Sequence, residues 1–124
     1  MIYDYFSKVQ GKLEDVKWIV TEQSVSFDFV SEEMGIIIGK LVFVDNTILD
    51  FMELVSEKES EYRFQYMDKN KNLICRWDSA PHHKEISTFP YHLHTKNESR
   101  ESKKMNFIEI LDIIMEKVIG NLNL

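Results

Sequence analysis

One cysteine, two prolines and four glycines are all that the 124 residues hold of the types that staple, break or loosen a chain. The lone Cys75 excludes an internal disulfide and fits a reducing compartment. No window approaches the roughly 18 apolar residues of a spanning helix. The opening MIYDYFSKVQGKLEDVKW carries charges throughout and lacks an apolar signal core, so a cytoplasmic protein without a membrane association is expected. With neither an internal repeat nor a low-complexity linker, residues 1–124 are expected to form one domain of common size. Positive charge is also scarce. Fifteen Lys and Arg stand against 21 Asp and Glu, and the net charge of −6 argues against indiscriminate nucleic-acid binding.

What is present is an ordinary globular composition, 44% hydrophobic and 12% aromatic, with clear periodicities. Ile2, Tyr5, Phe6, Val9 and Leu13 recur at helical spacing. SVSFDFV alternates and reads as a half-buried strand. IIIGKLVFVDNTILDFMELV reads as two long strands about the turn pair Asp45-Asn46, apolar enough to be central and covered on both faces for part of their length. EYRFQYMD and LICRWD flank the turn KNKN. Pairing Asp68 with Leu73 sets Tyr66 opposite Cys75 and Phe64 opposite Trp77 on an aromatic face. The other face then sets Gln65 opposite Arg76 and Arg63 opposite Asp78; a slip by one residue would mix the two faces. YHLHT is a short strand turning His92 and His94 the same way. NFIEILDIIMEKVIG is a closing helix with Asn106 as N-cap, Glu109 three residues on, and Gly120 to end it. Its core stripe is Phe107, Ile110, Leu111, Ile114 and Val118; Ile108, Ile113 and Met115 exceed that stripe and call for a contact with the first helix or a second chain. The expected fold is α+β, a mostly antiparallel sheet of five or six strands with an N-terminal and a C-terminal helix. Trp18, Phe27 and Phe64 are assigned to the core, and Cys75 reads as a small buried residue.

All four histidines, His82, His83, His92 and His94, fall within thirteen residues. The surrounding segment 76–104 carries 6 Lys and Arg against 4 Asp and Glu, whereas residues 1–75 carry 8 against 14 and residues 105–124 carry 1 against 3. An anionic ligand would go to that segment. Three causes for the clustering compete. The imidazoles and Asp78 are acceptable zinc ligands, although the spacing is of low specificity. Alternatively, two imidazoles act as base and acid on a phosphodiester whose own 2′-hydroxyl is the nucleophile. Arg63 or Arg76 would then grip the phosphate, Asp78 would orient a ring, and Trp77, Phe89 or Tyr91 would stack a base, with no cofactor needed. The third cause is structural: Pro81 and Pro90 mark turns, Phe89-Pro90 is a place for a cis bond, and the imidazoles satisfy loop carbonyls.

The block YRFQYMDKNKNLICRWDSAPHHKEISTFPYHLH closely resembles the TumE-type toxin family of bacterial and archaeal toxin–antitoxin loci. Members share a Y-R-Y-x-Y-x-D strand, a D-N-A-P-H-H-x-E block ending in T-F-P-x-H-x-H, and a closing helix. The likeness covers about residues 61–95. Ser79 stands where Asn is usual, removing an amide from the turn, and Leu93 where Lys is common, removing a positive charge near the anion site. The resemblance implies a small cytoplasmic toxin neutralised by a helix-turn-helix antitoxin. It carries Arg76, Asp78, His82, His83, His92 and His94 over as the site, with Arg63 joining them from the register argument. Metal-independent RNA cleavage is the expected activity, by analogy with how small toxins act. The alternative is a non-catalytic module whose histidine block docks the antitoxin or a dimer mate.

Overall fold

The computed structural model describes residues 1–58, 60–81 and 84–122. The helical apolar spacing of the first segment becomes α1 (Ile2–Val16), which buries Ile2, Phe6, Val9, Leu13 and Val16. A 3₁₀ turn (Lys17–Ile19) leads into β1 (Val20–Phe29), followed by β2 (Met34–Phe43), β3 (Ile48–Ser56), β4 (Ser60–Met67), β5 (Leu73–Asp78), β6 (His92–Thr95), β7 (Ser99–Glu101) and α2 (Phe107–Asn121). The strands form one antiparallel sheet in chain order, β1 to β7. This is the α+β arrangement expected, with seven strands in place of five or six. The extra one is β7, three residues held by pairing to His92, Leu93 and His94, with no apolar alternation to announce it.

Both helices pack on one face of the sheet, whose inward residues include Ile37, Leu41, Phe43, Leu49, Phe51, Phe64, Tyr66, Cys75 and Trp77. Phe107 of α2 stacks on Phe51 with ring centroids 4.2 Å apart. The expected stripe of α2 is the buried one, and its start carries the full capping box between Asn106 and Glu109. Gly120 lies inside the last turn, and Asn121 ends the helix. Ile108, Ile113 and Met115 are partly buried against the core, in which α1 and α2 touch.

Four expectations are corrected. β2 and β3 are flanked by neighbours on both sides, but their second face is largely open, and Ile38 is 48% exposed there. Cross-strand pairs such as Ile36–Leu54 and Ile38–Met52 shelter one another in place of a second layer. Trp18 is 56% exposed, because two residues past Val16 it falls opposite the buried stripe of α1. Phe27 is only half-buried, edge-on to Phe6 in the first helix. In the β4–β5 hairpin all four central pairs are as expected, but the turn-proximal pair is Met67–Leu73, with Ile74 as the extra residue of a bulge. Asp68 is taken out of the ladder because its carboxylate accepts the Asn70 and Asn72 N–H groups, while Lys71 adopts a φ of 65°.

Gly39 shows why β1 lies so close to β2. A Cβ there would stand 2.3 Å from the Ser24 carbonyl oxygen and 2.8 Å from the Val25 Cα, both backbone atoms. Gly39→Ala is expected to force β1 from its register at a cost of about 1–3 kcal/mol. Urea denaturation of the variant beside wild type measures this; an unchanged midpoint would contradict it.

Alternation along β3 puts Glu53 inward, in phase with Leu49 and Phe51, and the residue is 3% exposed. The Tyr5 hydroxyl donates to its Oε1 at 2.6 Å and accepts from the Phe107 N–H at 3.3 Å, tying β3 to the beginnings of both helices. Burial pushes the Glu53 carboxyl up to about 7 and raises the Tyr5 hydroxyl further still.

Candidate functional site

The outward residues of β4, β5, β6 and β7 form two transverse rows on the open face. One runs Arg63, Asp78, His92, Glu101; the other Gln65, Arg76, His94, Ser99. Antiparallel pairing of alternating strands makes this geometry unavoidable: once the aromatic residues face the helices, the charged residues line up across the sheet. Arg63 and Asp78 are cross-strand neighbours, as the register argument requires.

Asp78 is the centre. Its Oδ2 accepts from Arg76 Nε at 3.1 Å and lies 3.6 Å from His94 Nε2; its Oδ1 accepts the Ala80 N–H at 3.0 Å and lies 2.8 Å from His92 Nε2. The two rings meet edge-on, their centroids 4.5 Å apart. The other nitrogen of each ring is also held, His92 Nδ1 at 2.9 Å from the Pro90 carbonyl and His94 Nδ1 at 2.7 Å from the Ser99 hydroxyl. The Pro90 carbonyl can only accept, so His92 Nδ1 carries a proton. Phe89-Pro90 is cis.

Access differs between the groups. The side chain of His92 is 2% exposed and that of Asp78 6%, whereas His94 is 13% and Arg76 29%. Beside them a cleft of about 450 Å³ is lined by Arg63, Arg76, Asp78, Tyr62 and Ser79 among others. Arg63 Nη1 and Arg76 Nη1 both donate to Gln65 Oε1, at 3.3 and 3.4 Å, which turns two guanidinium groups toward one region. His94 borders a separate open surface with Glu85, Ser99 and Lys96.

Of the expected site residues, Arg63, Arg76, Asp78, His92 and His94 are brought together. His82 and His83 lie outside the described residues. Among the proposed stacking rings Trp77 is buried in the core and Tyr91 is stacked parallel to Tyr62, leaving Phe89, 41% exposed, as the available one. Leu93 pairs with Trp77 and packs against the core on the helix-covered side, so a lysine there would not stand beside His92 and His94. Ser79 fills its turn position: its hydroxyl accepts the Tyr62 N–H at 3.0 Å. Gln65 and Ser99 were not foreseen. The register argument already placed Gln65 opposite Arg76, whereas nothing in the sequence marks SRE as a strand. Cys75, buried among aromatics, has its thiol pushed up to about 11 by desolvation, which makes it a poor nucleophile.

A one-sided antiparallel meander backed by two helices, with an arginine–aspartate–histidine cluster on its open face, defines a compact α+β protein that presents its chemistry from a sheet surface. The chain belongs to the TumE toxin family, described as Toxin TumE, whose sequence model matches residues 10–120. No curated protein and no solved structure matches it. Membership makes it a toxin of a toxin–antitoxin system and implies an antitoxin as its partner. Among the described residues no helix is long and apolar enough to cross a membrane.

Proposed function

We propose that this toxin cleaves RNA in the cytoplasm, with the Arg63–Arg76 cleft holding a phosphate and the Asp78–His92–His94 cluster handling the protons. The observation that carries the reading is the convergence of Arg76 and two imidazoles on one carboxylate beside that cleft. A phosphodiester needs its negative charge gripped as it grows, and paired guanidinium groups do this in a planar, two-pronged geometry. The 2′-hydroxyl of the RNA serves as nucleophile, so the protein supplies proton transfer and charge stabilisation. His94 is the imidazole with more access to a substrate, while His92 acts from beneath as a positioning residue through Asp78. Phe89 is the ring on which a base would stack. A helix-turn-helix antitoxin encoded beside the gene would silence the toxin by covering this face.

The docking alternative is favoured by one observation, the burial of His92 against the Pro90 carbonyl. Induced expression of wild type beside Arg76→Lys and His94→Ala, followed by examination of cellular RNA, separates the two readings. Arg76→Lys retains the charge but loses the planar fork, so cleavage is expected to fall by about tenfold or more, with folding little changed. Growth arrest with intact RNA, or full cleavage by a folded His94→Ala protein, would favour docking.

A further inference from the structure

We propose that Asp78, His92 and His94 bind a divalent transition-metal ion of the zinc class; the inference rests on taking this cluster as the working site, and with the ion in place its bound water, not the ring nitrogens, would handle the proton. One donor atom from each residue lies within 4.8 Å of the others. All three sit on adjacent strands, Asp78 directly opposite His92 and His94 two residues along the same strand, so the sheet fixes their spacing.

The orientation of the rings is the stronger argument. Each imidazole has its Nδ1 held from behind, by the Pro90 carbonyl in one case and the Ser99 hydroxyl in the other, and each turns its Nε2 to the same carboxylate. Metal-bound histidines are held in this way: an outer hydrogen bond to one nitrogen fixes the tautomer and aims the lone pair of the other at the ion. In the neutral His92 ring the proton is on Nδ1, so Nε2 presents a lone pair to Asp78 Oδ1 at 2.8 Å. The 2.8 Å contact is met by a cation bound to both atoms or by a second proton on the ring; the two differ in what the protein retains from solution.

The donor set selects the class of ion. Two imidazole nitrogens and a carboxylate oxygen suit zinc and its neighbours, while calcium and magnesium prefer oxygen alone. Tetrahedral ligands at about 2.1 Å stand roughly 3.4 Å apart. His94 Nε2 lies 3.6 Å from Asp78 Oδ2 and His92 Nε2 lies 2.8 Å from Oδ1, so an ion held by one carboxylate oxygen requires the side chains to shift by a fraction of their present spacing. Arg76 and the Ala80 N–H stay on the carboxylate as its outer partners. Three protein ligands leave a position for water or a phosphate oxygen. The positive charge of the ion would add to that of Arg76 at the place where a phosphate is expected.

The test is direct metal retention by the full chain. Purified wild type, His94→Ala and Asp78→Ala are loaded with zinc, passed through a desalting column and assayed for metal by mass spectrometry; cobalt loading reads the coordination shell by its visible absorption. Wild type is expected to retain close to one equivalent and to show a cobalt band, and each variant to bind at least about 10-fold more weakly. His94 is the least buried of the three ligands, so its variant is the one expected to keep the fold, checked by circular dichroism. Wild type that retains no metal, or a folded His94→Ala protein that retains as much as wild type, overturns the site. RNA cleavage is followed separately with and without chelator. Cleavage by zinc-free protein in chelator overturns the metal and leaves the RNase reading standing; zinc held at the cluster without RNA cleavage does the reverse.

Discussion

Asp78→Ala is expected to reduce RNA cleavage by on the order of 100-fold or more, the scale of losing a group that organises charge in a site. Arg76 reaches this carboxylate by its Nε, both imidazoles face it with Nε2, and the turn donates the Ala80 N–H to it. Removing it leaves a guanidinium without its ion-pair partner and two rings held only through Nδ1. A stability loss accompanies the functional one. Breaking a fully buried ion pair from one side costs about 3–5 kcal/mol, and the partial exposure of Arg76 lets water recover some of that, so about 2–3 kcal/mol is expected. Urea denaturation gives the second quantity, and cleavage of a defined RNA below the unfolding midpoint gives the first. A folded Asp78→Ala protein that cuts as well as wild type would remove the cluster from the mechanism.

Glu53→Gln is expected to stabilise the protein in a pH-dependent way. Burial disfavours the charged form and pushes the folded carboxyl up to about 7, from an ordinary value of 4.5. Between those values the native state holds a proton that the unfolded chain releases, so stability falls as pH rises through this window and stays lower above it. The span corresponds to about 3 kcal/mol. Glutamine keeps an oxygen for the Tyr5 hydroxyl and has no charge to desolvate. The variant should therefore match wild type near pH 4.5 and exceed it by about 3 kcal/mol at pH 8. Equal denaturation midpoints at pH 8 would show that Glu53 is charged there at little cost.

The sequence was most legible where two faces of one element differ in kind. The β4–β5 register followed from aromatic residues alternating with charged ones, and it delivered the Arg63–Asp78 and Gln65–Arg76 pairs on which the site is built. The stripe of α2 followed from its period in the same way. Where the faces were alike the reading failed. The unbroken apolar run of β2 and β3 suggested two covered faces, yet Ile36, Ile38, Met52 and Leu54 shelter one another on an open one. Trp18 has the residue type of a core member, but its position two residues past Val16 lies opposite the stripe of α1. β7 is held by backbone pairing alone, so the contact of Ser99 with His94 carried no side-chain signal. Glu53 was overlooked although the signal was present, a charged residue in step with Leu49 and Phe51.

The chain-order sheet has a consequence for synthesis. Each strand pairs with the one made just before it, so a growing chain can zip up hairpin by hairpin as it emerges, with few long loops to close. The residues of the proposed site are all present once Glu101 has been made, but the layer beneath them is not. Phe107, Ile110, Leu111, Ile114 and Val118 come last, and until they arrive the inward aromatics Phe51, Phe64 and Trp77 lack their cover. The surface that carries the proposed site thus gains its backing layer only when α2 docks. A chain that stops before that helix leaves Phe51, Phe64 and Trp77, and with them the underside of the site, without cover.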